Sequence, residues 1–223
     1  MPAATRMRMT RTDPAALLRL LAWLSPAFPT GGFAYSHGVE WAVEAGCVRD
    51  QATLREWLVD LLAHGSGRND AILLRHAHRT ADNPAAVAEL ARASQPTRER
   101  LLEAAAQGRA FALAARAWDG SLPDDLTYPV AVGVLAARNG VAEDDAALGY
   151  TQALVANVIS AAVRLVPLGQ STGLAVLAAL EADITACAEA SRRATLDDLG
   201  GACLRADLFS ALHETQYTRL FRS

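Results

Sequence analysis

The chain has 223 residues, of which 52% are apolar, 20% are charged and 6% are aromatic, and its formal net charge at pH 7 is −3. All 21 of its Lys and Arg positions are Arg, so the sequence contains no lysine. This excludes a P-loop phosphate clamp, a Schiff-base nucleophile and a pyridoxal-phosphate anchor, because each of them requires a lysine amine. The acidic balance also argues against a nucleic-acid-binding protein that depends on a generally basic surface.

The length and the cysteine content are typical of one medium-sized intracellular domain. Cys47, Cys187 and Cys203 occur without CxxC spacing, which indicates small core residues in a reducing compartment. The leading apolar stretch, residues 14–23, contains Arg19, and it is too short to span a bilayer. We therefore expect a cytoplasmic protein that is not bound to a membrane.

Helical signals run along the whole chain. Ala, Leu and Arg are strong helix formers, and Pro, Gly and N-capping residues occur at intervals that suit helices of about two to six turns. Asp13, Pro14 and Asp50 are start signals, and Gly46 and Gly140 are stop signals. The predicted helices cover residues 14–24, 33–45, a segment capped by Asp50, 69–79, 84–93, 96–118, 128–139, 143–166, 170–191 and a short stretch that ends at His213.

No segment shows sustained β-strand alternation, so the predicted fold class is all-α. We expect a single-domain helical bundle of about eight to ten helices with mobile N- and C-terminal segments. The helix over residues 143–166 is apolar nearly all round, which is typical of a central helix. The predicted organisation is a disordered tail over residues 1–12, a helical domain over 13–205 and a partner-binding tail over 206–223.

The residue types that perform catalysis or hold metals are present, but their spacing is unsuitable. His213-Glu214 begins a sequence similar to the HExxH zinc motif, yet Tyr217 occupies the position of the second ligand. His76 and His78 are two residues apart, which directs them to different faces of a helix. Adjacent acidic pairs lie at predicted helix starts, where capping explains them. The sequence therefore predicts neither a catalytic site nor a resident metal site.

Three segments are not explained by helix formation alone. The first, SPAFPTGGFAYSHGVE over residues 25–40, is either a constrained loop that enters a helix or a binding surface. The second, RLVPLGQ over residues 164–170, places Arg164 at the end of the central helix. Its guanidinium binds either the last carbonyls of its own helix or a partner. The third, YTRLFR over residues 217–222, combines the aromatic and arginine side chains that are enriched at interface hot spots, which favours folding onto a partner.

Together these segments resemble the urease accessory protein F (UreF) family. The family pattern Ser-Pro…Pro-x-Gly-Gly-Phe-x-Tyr-Ser-x-Gly-x-Glu is matched over residues 25–40, and Arg-x-x-Pro-Leu-Gly-Gln is matched over 164–170. The pattern His-Glu-Thr-Gln-Tyr-x-Arg-Leu-Phe-x-Ser is matched over residues 213–223. The resemblance extends over residues 17–223, with His37 as a mild departure, and it includes Trp57, Asp70, Gln107-Gly108 and the Tyr128-Pro129…Gly133 segment.

The resemblance implies an all-helical, non-enzymatic maturation factor that forms homodimers. Family members act with a scaffold protein (UreD, also called UreH) and the GTPase UreG to insert nickel into apo-urease. No cofactor of its own is implied, because the GTPase partner would bind GTP and nickel would pass only transiently. The partner-binding residues implied by the resemblance are Pro29, Gly31, Gly32, Phe33, Tyr35, Ser36, Glu40, Arg164, Pro167, Leu168, Gly169, Gln170, His213, Glu214, Tyr217, Arg219, Leu220, Phe221 and Arg222.

Two alternatives come from other classes of protein. A TetR-like repressor has a similar length and an all-α core, but it requires a basic helix-turn-helix near the N-terminus, where residues 14–24 are apolar. An all-α haem or di-iron enzyme requires an axial His, or paired Glu-x-x-His motifs on facing helices. The histidines of this chain do not have that spacing.

Overall fold

The computed structural model describes residues 12–223, and every regular element within that range is helical. This part of the chain contains eleven α-helices: α1 (Pro14–Trp23), α2 (Val39–Glu44), α3 (Gln51–His64), α4 (Ser66–Arg79), α5 (Ala85–Ala93), α6 (Arg98–Ala114), α7 (Tyr128–Arg138), α8 (Glu143–Leu165), α9 (Gly169–Ala179), α10 (Glu181–Ala190) and α11 (Leu204–His213). The all-α prediction is confirmed. The predicted disordered tail falls, apart from Thr12, outside the described residues.

Side-chain capping fixes the starts of α1, α3 and α6. Asp13 accepts the Ala15 N–H at 2.8 Å and so caps α1. Asp50 and Thr53 form a capping box at the start of α3. These are starts that the sequence predicted.

Two predicted helices differ most from the structure. The helix expected over residues 33–45 begins only at Val39, because His37 and Gly38 adopt left-handed conformations with φ of 60° and 80°. The helix expected over residues 170–191 divides at Leu180 into α9 and α10. Acidic side chains in the first turn of α10 favour a new helix N-terminus there. This division brings the number of helices in the described residues to eleven.

The apolar interior has two clusters, and α8 contributes to both. Its first half places Ala146, Ala147 and Tyr150 in a cluster with α1, α4 and α7. Its second half places Val155 and Val158 in a cluster with α2, α3, α9 and α10. The prediction of a central helix is therefore confirmed. By length and composition α8 could also cross a membrane, but half of its most apolar window is buried inside the domain.

Helices α4 and α7 pack with their backbones in close contact. Gly133 of α7 lies against the α4 backbone, and a Cβ atom at this position would lie 2.3 Å from the Leu74 carbonyl oxygen. This distance leaves no room for a side chain. The close approach places the buried face of α4 in the apolar cluster that contains the first half of α8.

A buried arginine joins three helices. The Arg75 side chain is 1% exposed, and its Nη1 donates to Glu143 and Asp144 at 2.8 Å each. Its other nitrogens donate to Ser191 Oγ and to the Ala188 carbonyl, also at 2.8 Å each. Burial alone would raise the pKa of both carboxyl groups, but the surrounding arginines outweigh that effect and hold each pKa below its ordinary value. The start of α8 and the end of α10 are thus both fixed to α4.

The close contact between α4 and α7 can be tested with Gly133→Ala. The added methyl group must displace the α4 backbone, so we expect a loss of about 1–3 kcal/mol in the free energy of unfolding, measured by urea denaturation followed by circular dichroism. The control is Gly120→Ala, because a Cβ atom at that position meets nothing within 4 Å. Equal stability of the two variants would contradict the packing.

The Arg75 network predicts a dependence of stability on pH. Because the folded-state pKa values of Glu143 and Asp144 are depressed, their contribution is present at neutral pH and is lost as the pH falls through the acid range. Arg75→Met should cost about 1.5–3 kcal/mol at neutral pH, the range for hydrogen bonds to charged groups. The variant should also lose less stability on acidification than the parent protein.

Denaturant unfolding at a series of pH values measures both effects. The control is Arg55→Met, since the Arg55–Asp183 pair lies at the surface and should contribute less than about 1 kcal/mol. Parallel pH curves for Arg75→Met and the parent would show that the network does not cause the pH dependence.

Candidate partner-binding site

The first and third of the sequence segments singled out above lie side by side in the structure. Arg222 N–H donates to the Ala34 carbonyl at 2.8 Å, and Ser36 N–H donates to the Ser223 carbonyl at 2.8 Å. The Ser36 hydroxyl donates to the same Ser223 carbonyl. The C-terminal segment, residues 214–223, is therefore packed against the domain in the structure. Its backbone polar groups find partners there that hold it in place.

The carboxylate of Glu40 is the main anchor of the C-terminal segment. Its side chain lies on α2 and is buried. One oxygen accepts the Leu220 N–H at 2.6 Å, and the other accepts the Phe221 N–H at 2.9 Å. The Phe221 ring next to it is buried, with an exposed fraction of 4%. A buried carboxylate that accepts two backbone N–H groups fixes both the position and the direction of the chain.

His213 connects Glu40 to a second buried carboxylate. Its Nε2 lies 2.9 Å from Glu40 Oε2, and its Nδ1 lies 2.7 Å from Glu99 Oε2 on α6. The other oxygen of Glu99 accepts from Arg219 Nη1 at 2.8 Å. The imidazole is fully buried. We call these four side chains, together with the Leu220 and Phe221 N–H groups, the C-terminal clasp.

A second buried ionic cluster lies one turn further along α6. Glu103 contacts His37 Nδ1 at 3.2 Å, accepts from Gln107 Nε2 at 3.2 Å and pairs with Arg100. The Ser223 hydroxyl also donates to Glu103. Burial alone would raise the pKa of Glu103, but Arg100 and His37 outweigh it and hold that pKa well below its ordinary value. The end of the C-terminal segment therefore contacts this cluster as well as the clasp.

Two cavities adjoin this second cluster. The larger, about 380 Å³, lies between the loop around Phe28 and helices α6, α7 and α8. The smaller, about 100 Å³, lies between α3, α4 and the loop before α6. His37, Asp70 and Arg100 line both. Burial raises the pKa of Asp70, whose carboxylate accepts from the Tyr150 hydroxyl at 2.8 Å. The wall between the cavities is thus made of ionisable side chains.

Arg164 joins the second sequence segment to the other two. Its side chain is exposed, its Nη2 donates to the Phe33 carbonyl at 2.7 Å, and its guanidinium lies 4.3 Å from the centre of the Phe221 ring. Its Nε also donates to the Ser160 carbonyl of its own helix at 3.3 Å. The contact with a carbonyl of its own helix is confirmed, and binding of a partner by this guanidinium stays a prediction. One guanidinium binds a carbonyl of its own helix and also holds the N-terminal loop and the C-terminal segment together.

The residues implied as partner-binding divide into three groups by exposure. Those at the surface are Pro29, Phe33, Arg164, Pro167, Gly169, Gln170, Tyr217, Arg219, Leu220 and Arg222. Those that are buried are Tyr35, Ser36, Glu40, His213 and Phe221, and those that are half-buried are Gly31, Gly32, Leu168 and Glu214. The buried group positions the exposed group, and direct contact with a partner stays a prediction for all three groups. Pro167, Gly169 and Gln170 lie at the surface where α8 gives way to α9.

Sequence reasoning missed Glu99, Glu103 and Arg100, and it noted His37 only as a departure from the family pattern. All four are buried in the structure. A signal was present, because Glu99, Glu103 and Gln107 have the i, i+4 spacing of one helix face. This makes a polar stripe on the face of α6 that is buried.

Among residues 12–223 no group of three or more His, Cys, Asp or Glu side chains is arranged so that it could hold a metal ion. The clasp carboxylates are occupied by nitrogen donors from the chain itself. What this arrangement does chemically is to position a peptide segment.

Comparisons with known proteins agree on one family. The family model described as UreF matches residues 48–181. The chain is 54% identical to a urease accessory protein UreF of Bradyrhizobium sp. (strain BTAi1 / ATCC BAA-1182), over 96% of this chain and 95% of that relative. It is 55% identical to the protein of the same name from Bradyrhizobium sp. (strain ORS 278), over 94% of this chain and 92% of the relative. It is 50% identical to the urease accessory protein UreF of Methylorubrum populi (strain ATCC BAA-705 / NCIMB 13946 / BJ001), over 92% of this chain and 98% of that relative.

The bridging role of the Arg164 guanidinium can be tested with Arg164→Ala. The exposed cation–π contact is worth about 0.5–1 kcal/mol, so the melting temperature should fall by only about 1–4 °C for a chain of this length. Amide hydrogen exchange at Phe221 should become faster, because its ring loses a contact. Arg164→Lys is the matched control that keeps the charge. Unchanged exchange in Arg164→Ala would contradict the bridge.

Proposed function

The chain belongs to the UreF family of urease accessory proteins, and we propose that it is a non-enzymatic maturation factor. In this proposal it binds a scaffold protein of the UreD/UreH type and the GTPase UreG, and the assembly inserts nickel into apo-urease when GTP is hydrolysed. The GTPase binds the nucleotide, and nickel is cargo that passes transiently. Membership of this family argues against the two alternatives considered from the sequence, the TetR-like repressor and the haem or di-iron enzyme.

The convergence of three sequence segments on one surface carries this proposal. The buried members of these segments hold the C-terminal segment against the domain through Glu40, Glu99 and His213. The exposed members then present large apolar side chains to solvent. Tyr217 is fully exposed, and Leu220 has an exposed fraction of 65%. Buried ionic contacts therefore hold exposed apolar side chains in place, and this arrangement is typical of a binding surface.

Helix α11 extends the exposed apolar surface. Leu204, Leu208 and Leu212 are spaced four residues apart, so they share one face of the helix. Their exposed fractions are 73%, 55% and 37%. Because α11 leads directly into the C-terminal segment, we assign both to one interface, and we assign the scaffold protein as its occupant. The resemblance supports that choice, since it implies that the chain end orders against the scaffold.

The absence of lysine supports a division of labour between chains. A phosphate clamp of the P-loop type requires a lysine amine, and this chain has none. The free cysteines Cys47, Cys187 and Cys203 suit a reducing compartment, which supports action in the cytoplasm. We also propose that the chain works as a homodimer, as the resemblance implies.

Co-expression of the chain with a UreD/UreH scaffold and UreG, followed by size-exclusion chromatography with light scattering, tests this function. A stable complex that contains all three proteins and two copies of this chain is the expected result. Elution of this chain alone under all nucleotide conditions would refute the bridging role.

The binding surface can be tested with Tyr217→Asp and Leu220→Asp. Both side chains point to solvent, so the circular dichroism spectrum and the melting temperature should not change. Loss of one apolar anchor at an interface costs about 2 kcal/mol or more, so the Kd for the scaffold should rise by about thirtyfold or more, measured by calorimetry. The control is Leu102→Asp on the outer face of α6, a leucine with an exposed fraction of 55%. Unchanged affinity in both variants would contradict the assignment.

A further inference from the structure

Both ring nitrogens of His213 face carboxylate oxygens. Nδ1 lies 2.7 Å from Glu99 and Nε2 lies 2.9 Å from Glu40. The other contacts of these carboxylates are with donors: Glu40 accepts two backbone N–H groups, and Glu99 accepts from Arg219. A carboxylate that accepts from several N–H donors is ionised and has no proton to give. Both ring nitrogens must therefore donate, which requires an imidazolium.

The charges of the clasp balance only in that state. Two carboxylates, from α2 and α6, face one guanidinium, Arg219, and the His213 ring. With an imidazolium the net charge is zero. With a neutral imidazole, one negative charge is left uncompensated, and one ring lone pair faces a carboxylate in a buried site.

The neighbouring charged groups are engaged elsewhere. On α6, Arg100 and Glu103 pair with each other, and Glu103 also contacts His37. On α11 itself, Arg205 pairs with Asp60 of α3, and Asp207 is half-buried. None of these groups is hydrogen-bonded to the His213 ring in the described residues, whose two nitrogens are already bound to Glu40 and Glu99.

We propose that His213 is a positioning residue whose second ring proton holds the C-terminal segment in place. Loss of that proton to a solvent base removes one donor from the clasp and leaves the imidazole lone pair against a carboxylate. Because the ordered state binds the proton, the segment is ordered at lower pH and loosens as the pH rises. The link to partner binding rests on the proposed function, whereas the link to the order of the segment does not.

The protonation state can be read directly in the full-length protein by nitrogen-15 NMR of the histidine rings. His213→Gln identifies the signal by its disappearance. We expect both ring nitrogens to show the shifts of an imidazolium wherever the Leu220 and Phe221 amides are protected from exchange. A neutral His213 ring in a state with those two amides protected would overturn the proposal.

The order of the segment is measured by amide hydrogen exchange at Leu220 and Phe221 between about pH 6 and 9, corrected for the intrinsic rate. Protection should fall by up to about tenfold per pH unit as the pH rises. In His213→Gln it should be low and independent of pH, because the glutamine amide is neutral, does not titrate and carries both of its N–H donors on one nitrogen. The matched control is His64→Gln, an exposed position on α3, which should behave as the parent. Constant protection across this range in the parent would overturn the proposal.

The binding arm uses the purified UreD/UreH scaffold at the same pH values. Affinity should fall in parallel with the protection of the C-terminal segment, and in His213→Gln it should be weak throughout. If protection titrates while scaffold affinity stays constant, the link between the clasp and the partner is wrong. If the scaffold binds at no pH, the proposed function fails, and the NMR and exchange results still decide the proton-dependent clasp.

Discussion

The site depends on one buried carboxylate. Glu40 accepts the N–H groups of Leu220 and Phe221 and contacts the His213 ring, so it joins α2, α11 and the end of the chain. Desolvating a carboxylate is costly unless donors surround it, and here the donors come from a segment that is 180 residues away in the sequence. Docking of the C-terminal segment therefore contributes to the stability of the folded domain, because it supplies donors to the buried Glu40 carboxylate. Without the segment, Glu40 would keep fewer donors.

The division between buried and exposed residues of the C-terminal segment and its surroundings follows from the need of each buried polar group for a hydrogen-bond partner. Polar groups such as Ser36, Glu40 and His213 are buried because each has a partner, and their partners hold the backbone of the chain end. The side chains between these anchors, Tyr217 and Leu220, stay exposed. Arg164 extends the same arrangement to the end of α8, since it contacts both Phe33 and Phe221. One surface thus combines residues from three distant parts of the sequence.

Sequence reasoning succeeded where the signals were local. Capping by Asp13 and Asp50 and the apolar face pattern of α8 depend on neighbours within a few residues, and these predictions are confirmed. The late start of α2 was missed because a non-glycine residue, His37, adopts a left-handed conformation, which its residue type does not reveal. The clasp was missed for a different reason. Glu99 has an ordinary polar position in a helix pattern, and only tertiary contacts show that its partner is His213. The motif residues themselves were found through the family resemblance, and the structure adds how they are divided between anchors and surface.

The clasp and the two cavities are physically connected through Glu103. This carboxylate accepts from Ser223 at the end of the C-terminal segment and pairs with Arg100 and His37. The same Arg100 and His37 line both cavities. If the segment leaves, Glu103 loses a donor, and its remaining contacts with the cavity wall must compensate for more of its charge. The position of the C-terminal segment therefore affects the electrostatic environment of the cavity wall through one shared carboxylate, Glu103.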